Sequence, residues 1–177
     1  MIDEDGYRAN VAIVLTNSKR HVFWAGRVNR RGWQFPQGGI LDGETAEQAM
    51  YRELEEEIGL QAADVEVLGH TDDWLRYRLP KRFQRTHSEP LCVGQKQRWF
   101  LLRLVGEENF RFDTGTSPEF DRWCWVDFWY PVRNVIFFKR RVYKRALSQL
   151  APLLFKDDIP ERGGSKRRSP VRRTASP

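Results

Sequence analysis

The stretch from Gly38 to Leu60, GGILDGETAEQAMYRELEEEIGL, constrains this chain more than any other part of it. Glu53, Glu56 and Glu57 follow i, i+3 and i, i+4 spacing, so on a helix their side chains share one face. Like charges at that spacing destabilise an isolated helix by about 0.2–0.5 kcal/mol per pair. A sequence shaped only by helix stability would avoid the arrangement. A hard divalent cation reverses the sign, because carboxylates that repel one another become ligands of one ion. Glu53, Glu56 and Glu57 are therefore candidate metal ligands, with Mg²⁺ favoured and Mn²⁺ as a substitute. Histidines at ligand spacing would point to zinc, but His21, His70 and His87 are scattered.

The residues around the glutamates predict a helix over 45–58. Thr45 followed by Gln48 reads as a capping box, and Gly59 suits a left-handed C-cap. Ala46, Ala49, Met50, Leu54 and Ile58 supply the buried stripe, while Glu55 points to solvent. Arg52 is placed to orient Glu53 and Glu56 by charge-assisted hydrogen bonds. Gly38 and Gly39 let backbone approach a ligand where side chains would block it. Taken alone, RELEEE is an ordinary charged surface helix; the surrounding pattern argues for more.

With 177 residues, seven Trp and eleven Phe, the chain suits one well-buried core. Cys92 and Cys124 have no metal or redox spacing and fit inert thiols in a reducing cytoplasm. The acidic start MIDEDGYR is not a secretory signal, and no apolar run reaches membrane-spanning length. The net charge of +6 is concentrated in residues 160–177, with six basic residues against one acidic. That stretch, rich in Arg, Ser, Pro and Gly, predicts a disordered tail that holds RNA or solubilises the chain. The expected division is a domain over 1–155 and a basic tail over 156–177.

Alternating apolar residues predict a strand over 10–16, paired in a hairpin with 21–25. Further strands are expected at 65–69, 74–79, 97–105 and 122–126, with loops over 88–95 and 107–116. Phe138, Val142, Ala146 and Leu150 repeat every fourth residue and predict a final helix, ended by Pro152. Strands on both sides of one helix, with a second helix to cover the other face, argue an α/β layered domain.

Basic and aromatic residues are interleaved outside the glutamate helix. Arg76, Arg78, Lys81, Arg82, Arg85, Lys96, Arg98 and Arg103 surround Tyr77, opposed by Glu89, and Phe137-Phe138-Lys139-Arg140-Arg141 opens the last helix. Cations for phosphates beside aromatic faces for unpaired bases suit single-stranded RNA. Alternation on a strand predicts that several of these arginines share one side as a basic wall.

Residues 38–60 fill every fixed position of G-x5-E-x7-R-E-U-x-E-E-x-G-U, where U is aliphatic. A chance match is on the order of one in 10⁸ per start site. The segment resembles the signature box of the Nudix hydrolases, which cleave a nucleoside diphosphate linked to another group. YRANVAIVLTN, WQFPQGGI, WLRYRLPKR, GQKQRWFLL, SPEFDRWCWVDFWYPV and FKRRVY extend the similarity over roughly residues 1–150. They resemble the branch that acts on bacterial RNA 5′ ends.

The resemblance implies a mixed central β-sheet sandwiched between α-helices. It implies removal of pyrophosphate from 5′-triphosphorylated RNA, leaving a 5′-monophosphate open to ribonuclease decay. It adds Glu119 to Glu53, Glu56 and Glu57 as metal ligands, and makes Glu53, Glu57 and Arg52 the expected catalytic group. Arg8 and Lys139 match basic groups near the phosphates or leading nucleotides, and Arg27 is a further candidate substrate-binding residue. Tyr77 and Phe138 match base contacts, and Gly38 and Gly39 complete the substrate-binding set. A dinucleoside polyphosphate hydrolase of the same family and a non-catalytic RNA-binding module stay open as alternatives.

Overall fold

The computed structural model describes residues 2–29, 31–84, 90–113, 117–163 and 169–173. Arg85, Glu89, the start of the expected 88–95 loop, the last residues of the 107–116 loop and Lys166 lie outside them. Among the described residues, eight strands form one mixed sheet. They are β1 (Tyr7–Thr16), β2 (Val22–Arg27), β3 (Trp33–Gln34), β4 (Gln37–Gly39), β5 (Val65–His70), β6 (Leu75–Arg78), β7 (Gly94–Leu104) and β8 (Phe120–Val126). The main path runs β3-β2-β1-β7-β5, with β4 on β1, β6 on β7 and β8 on β2. β1 and β7 pair in parallel from Tyr7↔Gly94 to Thr16↔Arg103. Every other strand pairing is antiparallel.

The alternation of each strand divides the core into two layers. Val11, Ile13, Leu15, Phe23, Phe100 and Leu102 face helix α1 (Ala46–Ile58), whose Ala49, Met50, Leu54 and Ile58 are buried against them. Ala12, Val14, Trp24, Trp99 and Leu101 face helix α3 (Arg140–Phe155), packing on Val142, Tyr143, Ala146, Leu147 and Leu150. Each large apolar side chain so buried contributes about 1.5–3 kcal/mol. A short helix α2 (Tyr130–Asn134) joins β8 to the final turn and helix. The sheet is thus enclosed between helices, as the family resemblance implies.

α1 forms where its caps dictate. Thr45 and Gln48 bond reciprocally, and Gly59 takes φ 72°, closing the helix with its N–H on the Glu55 carbonyl. Such an N-cap stabilises by about 1 kcal/mol.

Pro152 does not end the last helix, which continues to Phe155. Proline in a helix interior costs about 3 kcal/mol. Here its ring lies on the exposed side, while burial of Ala151 and Leu154 on the opposite face offsets the loss. The helix also begins later than the periodicity predicts, since Phe137–Lys139 form a separate tight turn before it. That turn becomes important at the site.

The described tail residues have partners where composition predicts none. Trp123 and Arg172 exchange two 2.8 Å backbone hydrogen bonds, and the Ser169 N–H donates to the Trp125 carbonyl at 2.8 Å. Arg172 also reaches Glu108 at 2.9 Å. The edge of β8 offers unpaired backbone groups, and an extended segment satisfies them whatever its side chains.

Candidate active site

One cleft of about 470 Å³ gathers residues from distant parts of the chain. β1 contributes Arg8 and Asn10; the end of β2 contributes Arg27; β3 and β4 contribute Trp33, Gln34, Gln37, Gly38 and Gly39. α1 contributes Glu57, and the residue before β8 contributes Glu119. β6, the turn after it and the turn before α3 add Tyr77, Phe83, Phe138 and Lys139.

Arg52 organises the carboxylates of α1. Its guanidinium donates to both Glu44 oxygens at 2.8 Å, to Glu53 at 2.7 Å, to the Gly39 carbonyl at 2.8 Å and to Glu56 at 3.3 Å. The hydrogen bonds from Arg52 hold Glu44 below the usual carboxylate range. Burial moves Glu53 the other way, raising its pKa against the pull of Arg52. Arg52 is thus engaged within the protein and orients Glu53 and Glu56 as its spacing predicts, while Glu44 and the Gly39 carbonyl are partners the spacing did not predict.

Glu57 accepts the Gln37 N–H at 2.8 Å. The residue keeps some exposure, but its carboxyl end is crowded by protein. Burial, then the charge of Glu53, raise its pKa well above the ordinary value; Glu119 adds a smaller push. Glu119 is clasped by Arg27, Nε to Oε1 at 2.8 Å. Glu56 is half-exposed and lies 3.3 Å from the Arg52 guanidinium.

The four expected ligands therefore do not form a ready-made cage. No group of three metal-ligating side chains stands close enough to hold an ion among the described residues. Like charges separate and take the nearest N–H donors: Arg52 for Glu53 and Glu56, Gln37 for Glu57, Arg27 for Glu119. The donor set still fits a hard divalent cation. It is all oxygen, and the charges of Glu53 and Glu119 press on Glu57 beyond what the Gln37 N–H and Lys139 offset.

The two glycines serve the protein's own side chains. A Cβ on Gly38 would overlap the Glu53 carboxylate, and one on Gly39 would come within 2.5 Å of the Arg8 guanidinium. Glu53 and Arg8 thus lie flat against bare backbone, beside the cleft.

Lys139 is buried, with Nζ on Gln37 Oε1 at 2.9 Å and Gln34 Oε1 at 3.2 Å. Burial, helped by the charge of Arg27, lowers its pKa to about 8. Tyr77 is only 7 % exposed, and its hydroxyl donates to Gln95 at 2.6 Å. Its ring backs Phe138, centroids 6.0 Å apart, so the half-buried Phe138 presents the accessible aromatic face.

The expected basic wall is largely spent on internal contacts. Arg76 pairs with Asp5, Lys96 with Asp3, and Arg103 with Glu66, while Arg98 donates to the Thr71 and Asp72 carbonyls. The cations that line the cleft are Arg8, Arg27 and Lys139.

Sequence reasoning missed the amides of the site. Gln34 and Gln37 hold Lys139, Gln95 holds Tyr77, and the fully buried Gln97 donates to Asn10 at 2.8 Å. The signal was present: glutamines at inward positions of QFPQ and QKQRWF are costly unless they bond something.

The NUDIX domain pattern matches residues 6–146. An RNA pyrophosphohydrolase of Alkalilimnicola ehrlichii is 58 % identical over 176 residues, covering 97 % of each chain. One of Pseudomonas paraeruginosa is 59 % identical over 159 residues, 89 % of this chain and all of the relative. Among solved structures, the E. coli dihydroneopterin triphosphate pyrophosphohydrolase aligns with a TM-score of 0.61 at 20 % identity, over 78 % of this chain and 95 % of its own. That likeness concerns the fold. On the glutamate box, the layered sheet and these matches together, the chain belongs to the Nudix family of hydrolases.

Proposed function

We propose that this chain is an RNA pyrophosphohydrolase: it removes pyrophosphate from 5′-triphosphorylated RNA and leaves a 5′-monophosphate, which opens the RNA to ribonuclease decay. The observation that carries this reading is the composition of a single cleft. Arg8, Arg27 and Lys139 face Glu57 and Glu119 there, with Trp33, Phe83 and Phe138 in the same lining. Cations serve a polyphosphate, carboxylates serve a divalent ion, and aromatic faces serve unpaired bases. The relatives named RNA pyrophosphohydrolase, 58–59 % identical over most of the chain, support the same substrate.

In this reading Glu53, Glu56 and Glu57, with Glu119, hold the divalent metal ion, Mg²⁺ by preference and Mn²⁺ as a substitute. The ion, when bound, screens the phosphate charge and acidifies a coordinated water. Glu53 is the proton acceptor for the attacking water; burial raises its basicity toward the working pH. Glu57 is fixed by the Gln37 N–H, and Arg52 keeps Glu53 and Glu56 in register. Arg8, Arg27 and Lys139 bind phosphate oxygens, Phe138 stacks on a base, and Tyr77 supports it. Residues 1–155 are the catalytic domain and 156–177 a basic extension. No helix of the described residues is long and apolar enough to cross a membrane. Cys92 and Cys124, neither of them in a disulfide, fit a cytoplasmic setting.

The test compares a 5′-triphosphorylated oligonucleotide with diadenosine tetraphosphate, with magnesium present and then chelated. Pyrophosphate release and a monophosphate end on the RNA are expected, both lost on chelation and in Glu53→Gln. Preference for the dinucleotide by orders of magnitude would reject RNA as the substrate.

A further inference from the structure

Aromatic side chains continue outward from the cleft beyond those already assigned. Phe138, stacked on Tyr77 at the cleft wall, meets Phe83 with ring centroids 5.3 Å apart and Phe137 with centroids 5.5 Å apart. Phe83 and Phe137 are 43 % and 54 % exposed. The Arg82 guanidinium bridges them, 5.0 Å from the Phe83 centroid and 5.9 Å from that of Phe137.

Two features separate this cluster from scattered surface apolar residues. Phe83 and Ile136 themselves line the cleft, so the exposed rings extend the site rather than form a patch elsewhere. Among the described residues the neighbouring charges are cationic: Lys81, Arg82 and Arg140 are all exposed beside the rings. Each ring is presented by a tight turn, Lys81–Phe83 on one side and Phe137–Lys139 on the other. These turns fix the ring positions without burying them. A flat π-surface carrying a guanidinium is the chemistry that receives an unpaired base and its phosphate.

We propose that Phe83 and Phe137, bridged by Arg82, form a stacking site for an unpaired RNA base downstream of the nucleotides held in the cleft. The inference rests on the RNA reading above and adds a determinant of substrate length. A triphosphorylated dinucleotide fills the cleft as far as Phe83 and stops short of Phe137; a longer single strand engages both rings.

The experiment uses two triphosphorylated RNAs with the same first two nucleotides, a dinucleotide and an unstructured hexanucleotide carrying 2-aminopurine at its third position. The wild-type chain should quench the 2-aminopurine on binding without metal, and should show a higher kcat/KM for the hexanucleotide. The variant Phe137→Leu keeps apolar bulk and loses the flat face of a ring that lies outside the cleft lining. It should lose the quench, and its kcat/KM for the hexanucleotide should fall about 5–150-fold, the range for one stacked base. The dinucleotide value of Phe137→Leu should stay unchanged, and Phe137→Trp should keep the hexanucleotide preference. An equal fall on both substrates would overturn the proposal by showing that the rings support the cleft itself. No change on either would overturn it in favour of another partner, such as a protein. Failure of the wild-type chain on both RNAs would instead defeat the RNA reading on which the proposal stands.

Discussion

The carboxylate of Glu53 rests against the bare Cα of Gly38, in space that the Cβ of any other residue would occupy. Gly38→Ala should therefore push Glu53 out of position. The obstacle is the end of a side chain rather than backbone, so thermal stability should change little. Displacement of a catalytic group by about 1 Å costs on the order of 10²-fold, and kcat should fall by about that much. Gly39→Ala should behave differently, because it displaces Arg8. Its effect should lie mainly in KM, read by steady-state kinetics on triphosphorylated RNA.

Arg52 spends its fork on Glu44, Glu53 and the Gly39 carbonyl. Arg52→Lys keeps the charge and loses this planar geometry. It should lose activity while stability drops by about 1–3 kcal/mol, the range for charged hydrogen bonds left unmade. Unfolding in urea measures the second effect. Wild-type activity in Arg52→Lys would leave Arg52 without its organising role.

Lys139 gives a pH signature. Its pKa is about 8 in the folded chain against an ordinary 10.5. Between those values the unfolded chain binds more protons, so stability should rise with pH across that window. Below about pH 8 the cost of the buried charge is fully present. Lys139→Gln should remove this slope from denaturation curves. The alkaline limb of kcat/KM, with a midpoint near pH 8 in the free enzyme, should disappear with it.

Glu53 and Glu119 repel Glu57, and the Gln37 N–H and Lys139 offset only part of that cost, which an added cation should relieve. Magnesium at a hundredfold excess over its Kd should stabilise the chain by about 2.7 kcal/mol. Thermal unfolding with magnesium and with a chelator reads this directly. Glu57→Gln should be more stable than the parent without metal and gain less from magnesium. An equal gain in both proteins would remove Glu57 from the ligand set.

Deleting residues 164–177 removes Lys166, Arg167, Arg168, Arg172 and Arg173 and uncovers the edge of β8. Amide exchange at Trp123 should accelerate, since its N–H loses the Arg172 carbonyl. If these cations hold RNA, the dependence of log K on log salt should also flatten. An unchanged slope would leave the tail a cover for the sheet edge and a solubilising extension.

Legibility in the sequence followed the range of the interactions involved. α1 was readable nearly to the residue, because Thr45, Gln48 and Gly59 act on backbone groups within one turn. The inward alternation of β1 and β7 was readable for the same local reason. Their parallel pairing was not, because no turn joins them and the whole of α1 lies between. Pro152 misled because local propensity opposes the helix there, and burial of Leu154 overrides it.

The sequence by itself determined that three glutamates share a helix face beside an arginine, since helical spacing is a property of the chain alone. Only the tertiary structure decided what each charge meets. It set Glu119 on Arg27, Glu57 on the Gln37 N–H and Lys139 between two glutamines, and it spent Lys96 and Arg103 on internal partners. The physical reason is that electrostatic energy depends on distance and burial through space. Positions far apart in the chain acquire both only when the sheet and its helices close around them.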